Sequence, residues 1–100
     1  MTCSNLFEQM LENPVGYIGN FSIIKIRTYM NGYIKGQWDA GNQNRDELYH
    51  GFQRYVENRF NLKVSQGWDA IVCFMTCNEM EAFEKTKELW NAYKSEKHSQ

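Results

Sequence analysis

The sequence predicts an all-α fold, a single-domain bundle of about five amphipathic helices. Apolar residues recur at three- and four-residue spacing in five separate segments, which is the period of a helix with one buried face. Short runs of turn residues separate those segments, and no linker, repeat or low-complexity tract divides the 100 residues, so residues 1–100 read as one domain.

The first segment runs from about Ser4 to Glu12, with Leu6, Phe7, Met10 and Leu11 at helical spacing. Pro14 disfavours helix at Asn13, and Gly16 and Gly19 follow, so a turn is expected from Asn13 to Asn20. Ser22 is an expected N-cap for the second segment. There Ile23, Ile26, Met30, Tyr33, Ile34 and Gln37 share an arc, while Lys25, Thr28, Gly32, Lys35 and Asp39 lie opposite. Gly32 and Gly36 each cost about 1 kcal/mol there relative to Ala, and either permit a close approach or loosen the last turns.

A polar loop is expected over Ala40–Arg45. The third segment begins at Asp46, with Leu48, Phe52, Tyr55, Val56 and Arg59 on one face and Asn61 at its end. Residues 65–76 carry a Trp68, Ile71, Val72, Met75 stripe with Ser65 as candidate cap. Helix is favoured because Asp69 suits a positive helix end, and a short buried strand over Ala70–Met75 remains the alternative. Asn78 followed by Glu81 reads as a capping box for the last helix, which aligns Ala82, Phe83, Thr86, Leu89, Trp90 and Tyr93. The polar tail, 95–100, is expected to fray.

Composition narrows the function. Aromatics are 15% of the chain, enough wide rings for a core in a small domain. A net charge of −1 shows no basic excess, so nucleic acid is disfavoured as the main ligand. No segment approaches the roughly 18 apolar residues of a membrane span. Three cysteines and a start without a charged-then-apolar leader lead us to expect free thiols and a cytoplasmic location.

Candidate chemistry is sparse. Cys73 and Cys77 would share a helical face, yet with Cys3, His50 and His98 they do not supply two ligand pairs at zinc spacing. They are expected to be structural thiols, and no metal or other cofactor is implied. His50 stands on the polar side of its helix with no nucleophile motif beside it, so an enzyme using His50 with Asp46 or Asp69 is disfavoured. Gly16-Tyr17-Ile18-Gly19 lacks the phosphate-loop pattern. Arg27 and Arg59 fall inside apolar arcs. Snorkelling is the favoured account of both, and a carboxylate partner such as Asp69 or Asp39 the alternative.

The succession Pro14-x-x-Tyr17-Ile18-Gly19-x-x-Ser22, then Gly32-Tyr33, Phe52-x-x-Tyr55-Val56, Ser65-x-x-Trp68-x-x-Ile71 and Glu81-Ala82-Phe83 resembles small all-helical bacterial immunity proteins of polymorphic toxin and contact-dependent growth inhibition systems. The likeness spans about Leu6 to Tyr93. This chain has Asn13 where the group places arginine, and Gly16 where it places Met or Leu. The resemblance implies a non-catalytic protein that binds a cognate toxin domain 1:1, commonly a nuclease, in the cytosol of the producing cell.

A nuclease site is basic because it grips phosphate, so carboxylates would complement it and hasten association. The candidate partner-binding residues are Asp39, Asp46, Glu47 and Tyr49 around the polar loop, then Glu81, Glu84 and Glu88. Glu84 and Glu88 repel by about 0.2–0.5 kcal/mol, which Lys85 and Lys87 offset, so a plain solvated face competes with a docking surface. The rival function is a helical adaptor or homodimer with no toxin target.

Overall fold

In the computed structural model, residues 2–42, 46–62 and 66–98 are described. They form six helices and, among the described residues, no strand: α1 (Cys3–Glu12), α2 (Pro14–Ile18), α3 (Ile23–Asp39), α4 (Glu47–Arg59), α5 (Trp68–Phe74) and α6 (Glu79–His98). The radius of gyration, 13.3 Å, is that of a closely packed chain of this length.

The helix ends follow from the local sequence. Thr2, Ser22, Asp46 and Asn78 each accept a backbone N–H three residues on, from Asn5, Lys25, Tyr49 and Glu81. Asn61 adopts the left-handed conformation (φ 56°) just past α4, as an asparagine there can.

The expected turn after Asn13 is instead the short helix α2. Asn13 is non-helical (φ −140°), but Pro14 occupies the first helical position, where a missing N–H costs nothing. Asn13 Oδ1 then accepts the Gly16 N–H at 3.3 Å, and Gly19 ends the turn at φ 81°. Asn13 and Gly16 thus form one local device. The Asn13 amide lies 2.5 Å from where a Cβ on residue 16 would stand.

Residues 68–74 are helix, not strand. The N-cap position, Gly67, has no side chain to offer, and Ser65 lies outside the described residues. The cap comes from α4: Gln53 Oε1 accepts the Trp68 N–H at 2.6 Å, and its amide donates to the Gln66 carbonyl at 3.0 Å. α5 stops at Phe74, so Met75 leaves the core stripe and Cys77 does not share a helical face with Cys73. Cys77 is exposed, not the structural thiol expected, whereas Cys73 is half-buried.

α6 also runs further than expected, through His98. Lys94 pairs with Glu8 of α1, which ties this end of α6 to the body, and the Lys97 ammonium lies 5.7 Å from the ring of Tyr93 one turn back in the same helix.

Phe7 is the hub of the core. Fully buried, it meets the rings of Tyr49, Phe52, Trp68 and Trp90 at centroid distances of 4.8–5.7 Å, mostly edge to face. One residue of α1 therefore joins α4, α5 and α6. All six expected core residues of α6 are buried, as are Ile23, Ile26 and Met30 of α3.

Candidate functional site

The predicted partner-binding residues do not gather into one surface. Tyr49 is only 7% exposed. It stands in the first turn of α4, but its ring turns inward to Phe7, so its place beside the polar loop was a misleading sign. Burial pushes its phenol pKa up, against the opposing pull of the Trp68 indole and the Arg27 charge.

Asp46 is likewise structural. Its carboxylate accepts the Ser4 N–H at 2.6 Å, the Ser4 hydroxyl, and the Tyr49 N–H at 3.1 Å. Burial raises its pKa, yet the Ser4 and Tyr49 hydrogen bonds and His50 together hold it below the usual carboxylate value. Glu47 opens α4, and its side chain lies outside the described residues. Asp39 is exposed at the end of α3 and pairs with Lys35 at 2.8 Å. That leaves Glu81, Glu84 and Glu88, all exposed along α6.

What sequence reasoning missed stands beside them. The α5–α6 connection exposes Phe74 by 82%, Met75 by 46% and Met80 by 47%. Phe21, also exposed, packs edge-on to Phe83 at 5.3 Å, one turn along α6 from Met80. Glu79, Glu81 and Glu84 border this apolar surface and form no ion pair among the described residues, whereas Glu88 is engaged by Lys85 at 3.4 Å. The signal was present in the sequence: Phe74 and Met80 are large apolar residues off the stripes of their helices.

Comparison with protein-family models, curated proteins and solved structures returns no match. The site must be read from its own chemistry.

Large apolar side chains left in water near polar ones are what interaction surfaces present. The free carboxylates add a sign: they fit a basic counterpart. Elsewhere, Arg27 takes the alternative that was not favoured. Its guanidinium meets Asp69 at 3.3 Å and stands 5.9 Å from the Trp68 ring centroid. Arg59 is exposed. Asp46 and Asp69, the two carboxylates that could orient His50, are therefore held by Ser4 and Arg27. Among the described residues no three His, Cys, Asp or Glu side chains converge as a metal site would need, and no helix is long and apolar enough to cross a membrane.

Proposed function

We propose that the chain is an immunity protein that binds and neutralises a cognate bacterial toxin domain, a nuclease being the best fit, in the cytosol of the producing cell. The observation that carries the reading is the exposed Phe74, Met75 and Met80 with Glu79, Glu81 and Glu84 near them, carboxylates that form no ion pair among the described residues. Exposed aromatic and methionine side chains serve as anchors, and carboxylates steer a phosphate-binding, basic partner into register. The family resemblance suggests a toxin as the partner, and the exposed carboxylates favour a basic one.

A homodimer through the same apolar side chains is the second reading, favoured by that exposure alone. A two-fold contact would bring like carboxylates from both copies close together, which opposes it.

The test is the reading frame immediately upstream of this gene. A secreted protein with a variable C-terminal domain is expected there, and cells expressing this chain should survive that domain when it is produced inside them. Survival no better than that of cells lacking the chain would remove the proposal.

A further inference from the structure

Helices α3 and α4 each pack on α1 and α5, and they leave an open cleft of about 490 Å³ between their own facing sides. We propose that this cleft binds a carboxylate group, seated against Arg27. The inference is independent of the α5–α6 face.

Arg27 is fixed at three points. Its Nη1 meets Asp69 at 3.3 Å, its Nε donates to Asn31 Oδ1 at 3.2 Å, and its plane lies 5.9 Å from the Trp68 ring centroid. Gly67 makes the seat, because a Cβ there would run into the guanidinium. Those contacts engage Nε and Nη1 and leave Nη2 without a hydrogen bond among the described residues. Asp69 is not among the residues that line the cleft, although its Oδ1 also lies close to Gly67. An arginine held this way offers the N–H groups of Nη2 with little rotamer freedom left to lose, which suits a carboxylate oxygen.

The neighbouring groups are donors of the right kind. Asn31 gives its oxygen to Arg27 and keeps its NH₂ for a ligand. His50 lines the opposite bank next to Tyr49, whose phenol lies near enough to Arg27 to feel its charge. The cleft's own carboxylate, Glu57, stands two turns along α4 from His50 and accepts the Gln53 amide at 3.1 Å. It repels an anion from that end of α4 and directs it toward Arg27.

Two sources carry this chemistry: a free small carboxylate, or an acidic side chain on a protein. Titration of ¹⁵N-labelled protein with N-acetylglutamate and with acetyl-Ala-Glu-Ala-amide separates them. Saturable shifts are expected in the Trp68 indole, the Asn31 amide and the Arg27 Nε resonances. N-acetylglutamine, isosteric and neutral, should produce none. Tighter binding of the peptide assigns a protein side chain, and tighter or equal binding of the free acid assigns a small molecule. Asn31→Ala, at an exposed position, should weaken binding about fivefold, the worth of one hydrogen bond, and Arg27→Gln should abolish it. Absence of saturable shifts with both acids, equal shifts with the glutamine compound, or unchanged affinity in Asn31→Ala would each overturn the assignment.

Discussion

The side chain of Gln53 replaces the cap that the start of α5 lacks: its oxygen holds the Trp68 N–H at 2.6 Å. A residue from α4 thereby fixes the first turn of a seven-residue helix that is too short to persist alone. Gln53→Ala should therefore cost about 1–2 kcal/mol in urea unfolding. Gln53→Glu keeps the accepting oxygen but turns the donor to the Gln66 carbonyl and Glu57 into a carboxylate that repels both, so at neutral pH it should be no more stable than Gln53→Ala and should recover as pH falls and the carboxylates protonate. Equal stability of all three proteins would show that α5 is set by packing alone.

Asp46 predicts acid sensitivity. Its folded pKa lies below the ordinary carboxylate value, so its contribution is complete above about pH 4 and lost as pH falls through the lower folded value. Asp46→Asn should flatten the decline in stability below pH 4, and Asp46→Ala should lose about 1–2 kcal/mol at neutral pH through the missing cap and Ser4 contacts. Unfolding curves for the three proteins between pH 2 and pH 7 check both statements.

Glycines in two helices should respond with opposite sign. Nothing lies within 4 Å of a Cβ added at Gly32 or Gly36, so neither glycine serves a close approach. Alanine at each should stabilise by about 0.5–1 kcal/mol. At Gly51 the added Cβ would strike the Tyr93 hydroxyl, at the end of a buried ring. Gly51→Ala should cost about 1–3 kcal/mol from overpacking. Thermal melts of the three single variants test the contrast.

The interaction tip predicts a separation of stability from binding. Phe74, Met75 and Met80 are exposed, so Phe74→Ala and Met80→Ala should leave the unfolding free energy within about 0.5 kcal/mol. If Phe74 anchors the partner, Phe74→Ala should weaken the complex by about 2 kcal/mol or more. Loss of stability with unchanged affinity would mean the ring serves the fold.

Much of the fold was legible because helix period and caps are local. Ser22 and Asn78 cap as read, the arc of α6 buries the residues expected, and that of α3 buries Ile23, Ile26 and Met30 while Tyr33, Ile34 and Gln37 are only half-buried. Three things depended on partners distant in sequence. Gln53 gives no sign that it caps α5, Phe7 looks like any stripe residue until four rings surround it, and Pro14 reads as a breaker until Asn13 is seen to cap a helix that it starts. The candidate site was legible only in its α6 carboxylates. Asp46 and Tyr49 have the composition of a surface but lie where α1 meets α4, and Met75 became a surface residue because α5 ends sooner than its stripe suggested, whereas Phe74 lies off that stripe.

The most direct measurement is the association rate of the purified chain with the toxin domain encoded upstream, followed by stopped flow at low and high salt. The triple variant Glu79→Lys, Glu81→Lys, Glu84→Lys should associate at least about tenfold more slowly at low salt, with the difference shrinking as salt rises, while the melting temperature falls only slightly because two of the lysines enter the first turn of α6. The same rate for both proteins, or no complex from the wild-type chain, would contradict the account.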